Sequence, residues 1–566
     1  MIAMRVLILS LIALLNAPLY SQQKAPEVDF NPPLDIPLIL AGTFGELRSD
    51  HFHSGVDIKT QQREGLPVYS IEEGTVTRIK ISHWGYGKVL YVAHPNGFTS
   101  VYAHLQKFAP PIEEYIKKTQ YEKQSYEVEV FPDYGEVRVA KGDVIAYSGN
   151  SGSSSGPHLH FEIRKSISER PTNPLMYGMD VRDATSPTLT SVYAYPLGPE
   201  AQVNQSNSKI ELNFSRQPDG TYLAETLRAI GTIGFGIDAY DRQDLAANRN
   251  GIYGVKQLVN GTVYSEYDFK EFSFTETRYI NTLIDYEHYG KYYTRIGRLF
   301  RVPGNYLSIY GDLKNDGKIE VKESLSYNID LEISDYAGNT TRLRIPVEGV
   351  REPLRMQVPE SKTDTYVIAA KPNNYDLGIA KVYFPANTFY ENFHIRLEKG
   401  QDTVTIHDNT VPAHRNFTIT FDTSGFEPQE REQLFIARLN DRLQPSYTST
   451  YKRETSFTTR TRKLGTYTLV KDSVAPRVWA KNFKDKQWLT NYRYLRMHVS
   501  DDLSGIDTYS ARLNGEWILM EYEPKTNTFT YNFDDRILDK TACELEVVVT
   551  DNVGNSTTFT SSFYRK

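Results

Sequence analysis

Two stretches far apart in the chain, LEISDYAGNTT (Leu331 to Thr341) and VVVTDNVGNST (Val547 to Thr557), share one pattern. Apolar and polar residues alternate, then run into Asp-x-x-Gly-Asn. Strict alternation puts successive side chains on opposite faces of a strand, and the Asp, Gly and Asn that follow break it. Upstream of each lies a related segment ending in Asn-Gly: NGIYGVKQLVNG (Asn250 to Gly261) and LSGIDTYSARLNG (Leu503 to Gly515). Asn-Gly between alternating runs is the strongest short-range hairpin signal. Further upstream stand DATSP (Asp183 to Pro187) and DSVAP (Asp472 to Pro476). The same three signals in the same order describe a duplicated unit of short strands, which buries its apolar faces as a two-layer sandwich. With 40 Tyr and 26 Phe, the chain suits pleated, half-buried surfaces better than helices.

The two copies, 183–350 and 472–566, resemble the immunoglobulin-like modules of bacterial surface and periplasmic proteins. Between them, 351–471 reads as a further β-rich domain (LGIAKVYFPANTFYENFHIRLEKG) whose architecture stays open. The domain ahead of them spans 22–180. At 566 residues the length prior is about four domains, and the turn-rich boundary at Asp183 to Pro187 predicts a tail separable from the first domain. The fold class is mostly β.

The N-terminus, MIAMRVLILSLIALLNAPLYSQQKA, has Arg5, an apolar run from Val6 to Leu15 and a cleavage-like Leu19-Tyr20-Ser21. That run is too short to span a bilayer comfortably, so 1–21 reads as a signal peptide. The expected mature chain is exported, periplasmic or secreted and envelope-associated, with no membrane span after cleavage. Its net charge of −6 is small, with acids and bases interspersed, which leaves no footprint for nucleic acid. The sole cysteine, Cys543 in ACELEVVV, allows neither an internal disulfide nor a cysteine metal cluster and reads as a buried strand residue.

Seven of the twelve histidines lie between His51 and His160. In KVLYVAHPNGFTSVYAHL two strands flank Pro95-Asn96-Gly97, which puts His94 at the turn and His104 roughly 20 Å along the returning strand, so at most one of them serves a single site. In HLHFEIR, His158 and His160 project to one face while Leu159 enters the core. In HSGVDIK a turn at Ser54-Gly55 leads into a strand that brings Asp57 beside His53. Imidazole and carboxylate ligands with a fourth position left to water describe a catalytic zinc site. A hydrolytic site also needs a proton carrier and an oxyanion donor, for which two further histidines suit.

HFHSGVD, GLPVYSIEEGTV, WGYGKVLYVAHPNGFTSVYAHL and KGDVIAYSGNSGSSSGPHLHFEIR together resemble the lysostaphin/LytM-type zinc metallopeptidases over about 40–165. The resemblance implies a small antiparallel β-sheet fold with a groove over one Zn2+ per chain. It implies that His53, Asp57 and His160 bind the metal, that His158 is the catalytic base, and that His104 stabilises the tetrahedral intermediate. The implied activity is hydrolysis of peptide cross-links in bacterial peptidoglycan, with stem peptides as the partner and the β modules as spacers or wall- or protein-binding arms. The alternatives are a non-catalytic LytM-like regulator of another wall hydrolase, and an exported zinc peptidase acting on proteins. His51, His83 and His94 fall outside the pattern and are expected at the surface or in turns.

The family usually passes from the Tyr-x-His-Leu strand to Lys-Gly-Asp through a short connection, whereas Gln106 to Ala140 intervenes here. PPIEEYIKKTQYEK has proline at a helix start and Glu113/Lys117 spaced i,i+4, and SYEVEVFPDYGEV alternates like a strand. The insertion is either a flap over the groove or a surface elaboration.

Overall fold

Both Asn-Gly pairs turn as expected. Asn260 and Gly261 have φ of +49° and +79°, and Asn514 and Gly515 have +53° and +85°. Two successive left-handed residues match the twist of flanking strands. They join Gly254–Val259 to Thr262–Asp268 and Ile506–Leu513 to Glu516–Trp517. The structure, a computed structural model, describes residues 28–356, 363–536 and 539–566 and is built mostly of antiparallel strands. The expected signal peptide, 1–21, lies outside the described residues.

In the first sandwich one long strand, Leu227–Tyr240, pairs antiparallel with Thr188–Pro196 and parallel with Thr340–Gly349, and so runs through both layers. In the last, Arg477–Ala480, Tyr494–Ser500, Thr528–Asn532 and Met520–Glu523 face a sheet led by Ala542–Asp551 and Ser556–Tyr564. Cys543 is buried in that core. The repeated signals meet in space. Asn339 Nδ2 donates to Asp335 Oδ2 (2.8 Å) and to the Asp183 carbonyl (3.3 Å). Asn555 Nδ2 does the same to Asp551 Oδ2 (2.8 Å) and the Asp472 carbonyl (3.1 Å). The closing Asn thus ties each module's last hairpin to its entry. Between the modules, two five-stranded sheets enclose Phe384, Phe417 and Tyr467.

The N-terminal block has strands β1 (Leu40–Gly42), β2 (Val56–Lys59), β3 (Pro67–Tyr69), β4 (Gly74–Ile81), β5 (Lys88–Ala93), β6 (Phe98–Ala103) and β7 (Lys107–Phe108). Helix α1 (Pro110–Lys123) follows, then β8 (Val128–Val130), β9 (Arg138–Val139), β10 (Val144–Tyr147) and β11 (His158–Lys165). The main sheet runs β1-β2-β11-β6-β5-β4-β8, and β3-β10-β7 forms a second. Its central register sets His160 opposite Asp57 on one side and Ala103 on the other. The site is therefore dictated by strand pairing, since a one-residue slip would turn each side chain to the opposite face.

Several expectations need correction. The alternating stretch after α1 is strand only at Val128–Val130, and pairing resumes just past it at Arg138–Val139, because Pro132 and Gly135 interrupt it. His94 stands at the turn as expected, its carbonyl accepting Gly97 N–H at 3.2 Å, but its ring is buried, with Nδ1 on the Glu73 carbonyl (2.8 Å) and Nε2 on Ser100 Oγ (2.7 Å). His83 is half-buried, stacked on Tyr126 at 5.0 Å. The tail is not loosely attached. Phe44 and Phe52 of the N-terminal block belong to the first sandwich's core, while Trp517 and Leu519 of the last sandwich belong to the N-terminal block's core.

Candidate metal centre

β2 and β11 lie side by side, and the turn before β2 folds His53 back over them. His53 Nε2, Asp57 Oδ1 and His160 Nδ1 converge: 3.0 Å from His53 to Asp57, 2.9 Å from His160 to Asp57, and 3.0 Å between the two imidazoles. Each of the three side chains is held from behind. His53 Nδ1 donates to the Thr43 carbonyl at 2.7 Å. His160 Nε2 donates to Glu162 Oε1 at 2.9 Å. Arg48 donates to Asp57 Oδ2 at 3.1 Å. Such outer partners fix tautomer and ring orientation.

Those partners decide what the centre can hold. With the Nδ1 proton of His53 on Thr43 and the Nε2 proton of His160 on Glu162, each neutral ring points a lone pair inward. Two lone pairs and a carboxylate oxygen then face one another with no proton between them, a donor set suited to a cation. Without one, a proton takes the place. Burial disfavours a charged His160, but hydrogen bonds to Asp57 and Glu162 outweigh it and push the ring up to about 9. Burial also opposes charge on Asp57, yet His53 and the hydrogen bonds from His158, His160 and His53 hold its carboxyl well below the usual range. A tetrahedron with bonds of about 2.0–2.1 Å has edges of roughly 3.3 Å, so a few tenths of an ångström of relaxation admits zinc.

His158 and His104 stand on the open side, ring centroids 4.8 Å apart. His158 Nδ1 donates to the Gly156 carbonyl (2.8 Å), and its Nε2 lies 3.4 Å from Asp57 Oδ1. His104 Nδ1 donates to the Ser151 carbonyl at 2.9 Å. Burial, then the charges of His160 and His158, push His104 down to about 3, so it is neutral. Its backbone is left-handed at φ +58°, a strained conformation of the kind concentrated at functional sites.

Both carbonyls belong to the loop of residues 149–157, pinned by interlocked glycines. A Cβ on Gly152 would lie 2.4 Å from the Gly85 carbonyl oxygen, and one on Gly87 would lie 2.5 Å from Gly152 N. Between those glycines, Tyr86 stacks on His160 at 5.1 Å and meets Glu162 and Ser54 with its hydroxyl.

The model of peptidase family M23 matches residues 51–121 and 132–174. This block is an M23-type domain. The match leaves only 122–131 of the expected insertion uncovered. A separate match, to the Zu5-like domain, spans residues 364–472. Among curated relatives, the DD-carboxypeptidase/endopeptidase Mpg of Neisseria meningitidis is 30% identical over 139 residues, covering 25% of this chain and 26% of that protein. The peptidoglycan DD-endopeptidase ShyA of Vibrio cholerae is 29% identical over 123 residues, 22% of each. The chain thus matches about a quarter of these relatives' length. Among solved structures, the lysostaphin catalytic domain of Staphylococcus simulans is 23% identical, covering 24% of this chain and 90% of that one, with a TM-score of 0.19.

The M23 block brings together all five expected site residues, His53, Asp57, His104, His158 and His160. Sequence reasoning missed their supports: Thr43, Arg48, Tyr86, Glu162 and Arg164. Glu162 was within reach, since it sits two residues past His160 and shares its face. Arg164 continues the row and donates to Glu162 Oε2 at 2.6 Å; this pair keeps Glu162 ionised, its carboxyl held well below the usual range despite burial.

Proposed function

We propose that the chain is an exported zinc metalloendopeptidase that hydrolyses peptide cross-links of bacterial peptidoglycan, with immunoglobulin-like modules around its M23 block. The observation that carries this reading is the convergence of two imidazole lone pairs and one carboxylate on a point faced by two further histidines. Zinc bound by His53, Asp57 and His160 supplies a Lewis acid toward water and the scissile carbonyl. The chain's own part is proton handling. His158, its Nδ1 proton committed to Gly156, offers the Nε2 lone pair to the attacking water and later returns the proton to the leaving amine. Neutral His104 has the same tautomer, so its Nε2 accepts a hydrogen bond from the attacking water. It can donate to the negative charge of the tetrahedral intermediate only where it, in place of His158, has taken the proton that this water releases, which then passes to the leaving amine. The names of the relatives favour a direct stem-peptide cross-link as substrate. A non-catalytic regulator is the weaker reading, because no ligand is missing.

Digestion of purified peptidoglycan, with mass spectrometry of the fragments, tests the activity. Loss of cross-linked dimers is expected, and unchanged fragments from several wall types would sink the reading. Two variants test the roles. His160→Ala should lose metal and activity together. His158→Ala should keep the metal while turnover falls about 10²- to 10⁴-fold or more. Metal loss in His158→Ala with retention in His160→Ala would reverse the assignment.

A further inference from the structure

The repeated signals that close the two sandwiches also gather aspartates. In the first module these are Asp183, on the connection out of the M23 block, Asp241, just past strand Leu227–Tyr240, and Asp335, just past Ser326–Ser334; each offers an oxygen within 4.8 Å of the others. Asp472, Asp501 and Asp551 form the counterpart in the last module.

The two clusters differ in what neutralises them. Asp551 Oδ1 accepts the backbone N–H groups of Val553, Gly554 and Asn555. Asp472 accepts those of Val474 and Ser504, and Asp501 those of Leu503 and Gly505. The last module's charges are therefore met by the backbone itself.

In the first module, Asp335 accepts from the backbone and side chain of Asn339, and Asp183 from Thr185 N. Asp241 is only 2% exposed, and its Oδ1 is buried without a hydrogen-bond partner. Burial first, then repulsion by Asp183 and Asp335, push its carboxyl up to about 7. The carboxyl receives the Arg242 N–H and shares a hydrogen bond with Asp183, but Oδ1 stays without a partner. A buried carboxylate oxygen left so is disfavoured unless the group is paired, protonated or bound to a metal. Asp183 and Asp241 also line a cavity of about 1070 Å³ between the M23 block and this module, which gives an ion a way in.

We propose that Asp183, Asp241 and Asp335 form a binding site for a hard divalent cation of the calcium type, and that the last module's cluster does not. The donors are all oxygens. They lie within 4.8 Å of one another, close enough to share one ion, and calcium's flexible shell of oxygen ligands tolerates an irregular set better than magnesium's near-ideal octahedron. Backbone carbonyls and water complete such a shell. Because Asp183 lies on the connection and the other two in the sandwich, the ion ties the module to the segment leaving the M23 block.

The test is calcium titration into the full chain by calorimetry, with zinc saturating and zinc content measured before and after, alongside thermal melts. One calcium is expected to bind and raise the melting midpoint. Asp241→Asn should weaken that binding by at least about tenfold, and Asp551→Asn should leave it unchanged. Asp241→Asn relieves the repulsion by Asp183 and Asp335 and keeps an oxygen for the Arg242 N–H, so the calcium-free variant should melt no lower than wild type, which keeps it interpretable. No calcium binding by wild type up to about 10 mM, above the weakest extracellular modules, would overturn the proposal. So would equal calcium binding by Asp241→Asn.

Discussion

The first and last sandwiches grow from one repeated sequence pattern, yet they meet the M23 block by different chemistry. The first meets it through a shared apolar core. Phe44 stacks on Phe272 at 5.0 Å, and Phe52 packs on Phe269 and Phe272 at 5.5 and 5.3 Å. Gly45, at φ +77°, passes so close that a Cβ would lie 2.2 Å from the Phe269 ring. Thr43, whose carbonyl orients His53, donates its hydroxyl to the Gly251 carbonyl at 3.1 Å. The last sandwich adds buried and half-exposed polar contacts: Lys88 with Glu521 at 3.0 Å, Lys117 with Asp535 at 2.6 Å, and Lys525 with the 149–157 loop. Its apolar part is smaller: Trp517, edge-on to Tyr121 at 5.3 Å, and Leu519, with Tyr509 and Tyr522 against His83. Apolar burial is gained only by staying folded together, whereas water can replace much of a polar contact. The first module is thus part of the floor beneath the metal centre, and the last is an adjustable contact at its rim.

The largest effect should come from cutting the chain on either side of this difference. A chain ending near residue 182 leaves Phe44 and Phe52 without their cover and should give aggregated protein, or protein without a cooperative melt and without stoichiometric metal. A chain ending at 471 should fold and keep its metal. Within the full chain, Phe52→Ala should cost about 3–5 kcal/mol, read from the urea midpoint. A soluble 182-residue chain that binds metal like the whole protein would break the comparison.

The sequence showed the modules but not this difference, for a physical reason. Asn-Gly turns, strand alternation and the His-x-x-x-Asp and His-x-His spacings are local, and each was readable because it fixes a turn or a face within a few residues. Thr43, Arg48, Tyr86 and the Phe44/Phe52 contact depend on which surfaces meet across many residues, and no short pattern records that. The insertion's contact with the last sandwich was hidden for the same reason. α1 forms where its proline and its Glu113/Lys117 pair suggested, with Glu113 and Lys117 at 3.9 Å. Its inner face, Ile112, Ile116 and Gln120, is buried in the M23 block, while Lys117 and Tyr121 receive the last sandwich. α1 is a docking platform for the last sandwich, a contact its sequence did not suggest.

An intermediate effect should follow from the buried ammonium at the polar interface. The Lys88 side chain is 8% exposed. Burial opposes its charge, but Glu521 outweighs that and raises its pKa. Glu521→Gln leaves the ammonium buried beside a neutral partner and should cost about 1–3 kcal/mol in the full chain, the range for losing a hydrogen bond to a charged group; Glu521 is itself half-exposed, which keeps the figure below that of a fully buried pair. In the chain ending at 471, Lys88 faces water, so Lys88→Met should change stability by only about 0.5 kcal/mol. Paired urea melts of both backgrounds decide it. Equal costs in both would mean that the last sandwich does not desolvate Lys88.

The smallest effect on stability should come from Lys525, and it should be felt in turnover. Its ammonium donates to the carbonyls of Asn150 and, at 3.1 Å, Ser154. These carbonyls alternate along the loop with those of Ser151 and Gly156, which orient His104 and His158. No metal ligand lies in this stretch, so Lys525→Met should leave metal content unchanged. The contact is partly solvated, so stability should shift by about 0.5 kcal/mol or less. A loop freed to move displaces both histidines, and a misplacement of 1 Å can cost about a hundredfold in rate. Because the interlocked glycines still hold the loop's other side, kcat should fall by a smaller factor, roughly 2- to 10-fold. Lys525→Arg, which keeps donors at the same place, should recover most of the loss. Unchanged kcat in Lys525→Met would make the last sandwich a bystander to the chemistry; loss of metal would mean that the rim and the floor of the site are one rigid unit, and the contrast between the two modules would fail.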